Sequence, residues 1–167
     1  MFAAVRRASC ATMLAAVIFS ASPSHADDLR VSRRYSLSAT ASFMGAPMGG
    51  VQLSANLSPR FALDLSLSTM GRFTSVVAGG RFFILRRMLS PYLFARGGSG
   101  VLDPSLLDPH KSPGNYQAFF AASSGAGAEA LWNNGLVTFF EAAAYMAFAE
   151  RSPTVLPRVT AGVGYRF

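Results

Sequence analysis

The sequence predicts an all-β fold: an eight-stranded antiparallel up-and-down transmembrane β-barrel after a cleaved signal peptide. Three observations lead there. The 167-residue chain is 51% hydrophobic and only 14% charged, yet past its first two dozen residues it has no long apolar run. Nothing there approaches the ~20 residues that a membrane-spanning helix needs. The apolar residues instead alternate with polar ones, stretch after stretch, and Gly, Pro and Asn punctuate the stretches as turns require.

The first element reads as a signal peptide. Arg6 and Arg7 form a positive leader, "ATMLAAVIFSA" (11–21) is an apolar run too short to span, and Ser24 and Ala26 are the small residues before a cut at Asp27. A short buried helix is the alternative reading of this segment. The expected organisation is therefore a signal peptide over 1–26 and a barrel over 27–167. Cys10, the one cysteine, falls in the leader, so the mature chain has no cysteine for a disulfide, a zinc knuckle or a thiol nucleophile. Without Arg6 and Arg7 it carries 13 basic and 8 acidic residues, a mild +5. Its basic and aromatic residues do not cluster as a nucleic-acid site would.

Strand one, "YSLSATASF", sets Tyr35, Leu37, Ala39, Ala41 and Phe43 on one face and Ser36, Ser38, Thr40 and Ser42 on the other. "VQLSANLS" (51–58) and "FALDLSLS" (61–68) repeat that pattern as strands two and three. "SVVAGGRFFIL" (75–85) alternates if Arg81 faces inward, and "PYLFARGGSG" (91–100) if Arg96 does. "YQAFFAASSGAGAEALW" (116–132) is the sixth run. "LVTFFEAAAYMAFA" (136–149) is the seventh with Glu141 inward, although its good helix formers also admit a helix. The stretch 158–167 closes the set. Of the connections, "SPR", "RRMLS" and "WNNG" are short, whereas those at the other rim include the long "VLDPSLLDPHKSPGN". Short turns at one rim and longer loops at the other are the habit of outer-membrane barrels.

Mostly Ser, Thr, Gly, Gln, Asn and ionisable residues occupy the polar face. A soluble sandwich would bury the apolar face and show more charge outside. In a bilayer every backbone group must be paired, so a sheet there has to close. About 130 residues in eight strands fit the smallest such barrel, whose interior side chains fill. Neighbouring strands place Asp64, Arg81, Arg96, Glu129 and Glu141 inward at similar depth, and Arg166 enters from strand eight. These six are expected to form an internal salt-bridge layer; separate charges wetted by a leaky lumen are the alternative.

The chain ends "TAGVGYRF". Thr160, Gly162, Tyr165 and Phe167 fill the places of a polar residue, a glycine, an aromatic and a closing aromatic. This resembles the terminal sorting signal of bacterial outer-membrane barrels. With the alternation and the leader, the chain resembles the small eight-stranded outer-membrane proteins, OmpA-like and OmpX-like. The resemblance implies export to the outer membrane of a Gram-negative bacterium, with outer-membrane lipid, lipopolysaccharide and the barrel-assembly machinery as partners. It implies no wall-anchoring domain of the kind that follows the barrel in OmpA.

Other readings are weaker. His110 and Ser112 in "PHKSPG" resemble the His-x-Ser of outer-leaflet lipid A deacylases, but in that family the pair lies on a strand near the chain's end with a Glu on the next. Here it lies in a Pro-flanked loop without an acid partner, so no catalytic residue is assigned. Asp103, Asp108 and His110 do not match metal spacing, and "LDP" reads as a turn start; no metal or cofactor is expected. Leu106, Leu107, His110 and Lys111 are candidate loop contacts, the two leucines for a partner or lipopolysaccharide, with the extracellular partner unknown. Arg30, Arg33, Arg34, Arg60, Arg86 and Arg87 are assigned to the periplasmic rim, facing headgroups or solvent. Tyr35, Tyr92, Trp132, Tyr165 and Phe167 are assigned to an aromatic girdle there. The function expected is a structural or surface-interaction role through loops three and four, with a narrow pore and an outer-leaflet enzyme as alternatives.

Overall fold

The structure, a computed structural model, describes residues 29–103, 105, 114–149 and 152–167. One helical turn over 29–32 leads into eight strands: β1 Tyr35–Phe43, β2 Pro47–Asn56, β3 Phe61–Met70, β4 Phe73–Phe83, β5 Leu89–Leu102, β6 Gln117–Leu131, β7 Leu136–Ala149 and β8 Ser152–Arg166. Each strand pairs antiparallel with the next, and β1 pairs with β8 from Ser36↔Arg166 to Phe43↔Val159, which closes the barrel. The seventh run is a strand despite its helix formers. Twelve of its residues pair with β6 and all fourteen with β7's other neighbour, β8. Tertiary pairing overrides local propensity there.

The alternation decides which face is in. Leu53, Leu65 and Val163 are 45%, 48% and 51% exposed, part of an apolar belt around the outside. On β1 to β3 the inward face is mostly polar, with Ser36, Ser38, Ser42, Gln52, Ser54, Asn56, Asp64, Ser66 and Ser68 all buried beside Met48 and Ala62. On β4 to β7 the expected inward residues Arg81, Arg96, Glu129 and Glu141 share that face with apolar side chains that were not expected there. Phe73, Val77, Phe83, Tyr92, Phe94, Phe119, Phe139 and Tyr145 point inward and are buried. A lumen this narrow has to be filled, and small residues on one side leave volume for rings on the other.

The connections also differ from expectation. β3 turns into β4 through Gly71 and Arg72 alone, with Gly71 at φ +53°, the two-residue hairpin that puts glycine first. β2 begins at Pro47 and β8 at Ser152, so most of "GAPMGG" and "ERSPTVLP" is strand. Loop four is thus not the long contact loop expected, and one long connection, 103–116, remains at the rim away from the termini. Prolines misled the reading of β8. Pro153 and Pro157 lie where β8 pairs with β7 only, because β1 ends opposite Val159, and on such an edge a missing N–H is tolerated.

A closed barrel resists detergent until heated. The detergent-folded chain is expected to migrate differently on a gel before and after boiling, and identical migration would contradict closure.

Candidate functional site

Alternation aims Asp64, Arg81, Arg96, Glu129, Glu141 and Arg166 from β3 to β8 into one volume near the rim that carries the termini. Asp64 lies at its centre. Its Oδ1 accepts from Arg81 Nε at 3.0 Å, and its Oδ2 from Arg96 Nη2 at 2.8 Å. Arg81 Nη1 donates to Glu129 Oε2 at 3.0 Å, and its Nη2 to Ser54 Oγ at 2.7 Å. Arg96 holds Glu141 in a two-point grip, Nη1 to Oε2 at 2.7 Å and Nη2 to Oε1 at 2.6 Å. The Tyr92 hydroxyl donates to Glu141 Oε1 at 2.9 Å. Glu129 Oε1 accepts from Arg166 Nη2 at 3.0 Å and faces Arg30 Nη2 at 3.6 Å. Asp64, Arg81, Arg96, Glu129, Glu141 and Arg166 thus belong to one connected network.

Two glycines make the geometry possible. Asp64, Gly79 and Arg96 are directly opposite one another on β3, β4 and β5. Tyr92, Gly127 and Glu141 form a second such row on β5, β6 and β7. A Cβ on Gly127 would come within 2.8 Å of the Tyr92 hydroxyl, so only glycine lets that ring lie across β6 to reach Glu141. Rings also flank the cations. The guanidinium carbon of Arg30 stands 4.3 Å from the Phe83 centroid, and that of Arg96 stands 4.4 Å from Phe94.

Several placements correct the sequence reading. Tyr92 is buried inside and is no part of a rim girdle; it shares the parity of Arg96. Tyr35, Trp132, Tyr165 and Phe167 are exposed, with Tyr35 and Phe167 in ring contact at 6.4 Å. Arg30 does not face headgroups or solvent. The helical turn inserts it under the barrel, fully buried, while Leu29 packs on Leu131, Val137 and Phe139. Nothing in a four-residue turn signals this. Arg158, buried toward the other rim, was missed although it shares the parity of Thr160 and Arg166. Of the terminal pattern, Thr160 faces inward and shares a hydrogen bond with Ser42, whereas Tyr165 and Phe167 face outward. Leu106, Leu107, Asp108, His110, Lys111 and Ser112 lie outside the described residues.

Asp103 proves to be a clasp at the base of the long connection. Its carboxylate accepts from the Gly114 N–H and the Ser105 N–H, both at 3.0 Å, and faces Arg72 at 3.8 Å. The Gly114 bond first, then those of Ser105, hold its pKa below the usual 3.8. A depressed carboxylate pKa makes a stabilising contribution that is complete above the usual value and disappears as pH falls through the folded one.

Arg96→Glu would bring a third carboxylate against Asp64 and Glu141 and should destabilise the barrel by several kcal/mol, read as a lower urea midpoint. Arg30→Met should change stability by about 1 kcal/mol or less, because Arg30 is a further cation on Glu129 and none of its side-chain nitrogens has a hydrogen-bond partner. At the loop, Asp103→Asn should lower the amide protection factors of Ser105 and Gly114 at neutral pH. The unaltered chain should show that loss only on acidification below 3.8.

No protein-family model matches this chain, and no curated protein sequence does. Solved structures do resemble it. The N-terminal β-barrel domain of Pseudomonas aeruginosa OprF is 17% identical, with a TM-score of 0.59 over 81% of this chain and 98% of that one. A de novo designed transmembrane β-barrel (15% identity, TM-score 0.49, 81% of this chain, 96% of that one) is more distant. So is the Yersinia pestis outer-membrane protein Ail (18%, 0.46, 80% and 99%). At such identity the OprF likeness is one of fold: this chain folds as the small eight-stranded outer-membrane barrels do.

Proposed function

We propose that the chain is an integral outer-membrane barrel with a structural or surface-interaction role, presenting the connection 103–116 to the cell exterior. The observation that carries this is the pairing of an apolar outer belt with a lumen filled by side chains. An exposed apolar surface that encircles the molecule far exceeds the isolated patches of a soluble monomer, and lipid is the solvent that suits it. In this reading the segment 1–26 exports the chain, and Thr160, Gly162, Tyr165 and Phe167 form the strand that the assembly machinery reads. Outer-membrane lipid and lipopolysaccharide are the belt's surroundings. Exposed Arg34 and Arg60 lie at the inner-leaflet rim.

A conducting role is disfavoured by the filling of the lumen at two levels. The charge network blocks the end near the termini. Toward the other rim, Met48, Phe73, Val77, Phe119, Ala121 and Tyr145 form an apolar cluster. A catalytic role would rest on His110 and Ser112, for which no acid partner is assigned.

The test combines location and conductance. An epitope inserted within 106–113 should be accessible to antibody on intact cells, the chain should fractionate with outer membranes, and planar bilayers should record no steady channel. A mature product recovered as a water-soluble monomer without detergent would end this reading, and a steady conductance would replace it with the pore.

A further inference from the structure

We infer that the barrel holds a small monovalent anion, of halide class, beside Arg158 in the half of the lumen away from the termini. Arg158 is 9% exposed. Its Nη2 donates to Ser42 Oγ at 3.0 Å and Ser68 Oγ at 2.8 Å, and its guanidinium carbon stands 5.7 Å from the Tyr145 ring centroid. Among the described residues it has no carboxylate within ion-pair distance. Its Nε has no hydrogen-bond partner at all.

The carboxylates that could have matched it are committed elsewhere. Glu141 lies opposite Thr160, two residues along β8 from Arg158, but both of its oxygens are taken by Arg96, one of them shared with Tyr92. Asp64 serves Arg81 and Arg96, and Glu129 serves Arg81 and Arg166 and faces Arg30. Apart from Asp103, which is held at the loop base by Arg72, Ser105 and Gly114, the buried groups described comprise five arginines against three carboxylates. The lower network already has a cation in excess and has no negative charge to spare for Arg158.

Further donors surround this cation. Ser75 lies directly opposite Ser68 on the same inner face, and the buried hydroxyls of Ser75 and Tyr145 face each other outside good hydrogen-bond geometry. Either hydroxyl can turn its proton toward an acceptor beside Arg158, whose own Nε can only donate and has no acceptor. Water could satisfy the hydroxyls but would leave the positive charge uncompensated, whereas an anion satisfies both requirements. Access is available by topology. Arg158 is the first β8 residue beyond the end of β1, at the seam where β8 has a strand on one side only.

The detergent-folded chain would be refolded in chloride, bromide or gluconate at matched ionic strength. Halide at ten times its dissociation constant should raise the folded-to-unfolded ratio about tenfold over gluconate, read as a saturable rise in urea midpoint. Arg158→Met should abolish that rise and Arg158→Lys should retain it. Bromide-grown crystals should show an anomalous peak beside Arg158. Equal midpoints in halide and gluconate with no bromide peak there would overturn the inference in favour of water. So would a halide effect that persists in Arg158→Met. Should that variant fail to fold, the salt comparison and the bromide peak on the unaltered chain decide alone.

Discussion

Closing eight strands on themselves removes the sheet edges wherever β1 and β8 pair but leaves a bore too narrow for bulk water, so most inward side chains must find their partners among the others. That constraint explains the form of the charge network. Three carboxylates are shared among four arginines instead of being matched in isolated pairs. Sharing satisfies every guanidinium nitrogen of Arg81 and Arg96, which is the condition under which buried ion pairs cease to be a net liability. It also ties β3 through β8 to the turn before β1 by side chains, in addition to the backbone ladder. Asp64 is the pivot, because it alone joins Arg81 to Arg96.

The same constraint allocates volume. Inward hydroxyls on β1 to β3 are small, and the space they leave is occupied by rings from β4 to β7. Those rings lie over glycines on the neighbouring strand: Tyr92 over Gly127, Phe119 over Gly100, Phe139 over Gly162. A ring over a glycine covers backbone that a side chain would otherwise shield, and the glycine gives the ring room to lie flat. Packing and electrostatics are therefore one problem here. Gly127 is a packing residue, yet its missing Cβ is what allows Tyr92 to donate to Glu141.

Period two carried most of what was legible in the sequence. It assigns a side to each residue, and Asp64, Arg81, Arg96, Glu129, Glu141 and Arg166 follow from it once closure is assumed. Applied evenly it also reaches Tyr92 and Arg158, which share parity with Arg96 and Arg166; a preference for aromatics at the rim obscured the first. Arg30 was not legible, because its position depends on a turn docking from outside the sheet. The extent of β8 was hidden by Pro153 and Pro157, since whether a proline breaks a strand depends on whether a neighbour needs its N–H, and that is a fact of register. The lengths of the connections were overestimated for the same reason: paired residues at strand ends look like loop when they are Gly or Pro.

Register also bears on where recognition can occur. β8 projects past the end of β1, and the residues from Ser152 to Arg158 have β7 as their one strand partner. An unpaired edge invites a foreign strand, but prolines at 153 and 157 remove donors from it, and a strand adding there would lack a regular ladder. With the lumen occupied, the belt apolar and this edge interrupted, the connection 103–116 is the surface left for a specific contact in the reading proposed above. Its base is not loose. Asp103 accepts from the backbone N–H groups of Ser105 and Gly114, so the two ends of the connection are drawn together at the rim. A loop fixed at its base has less conformational freedom to lose when it meets a partner, which is how a barrel whose lumen is crowded with side chains can still present a defined surface.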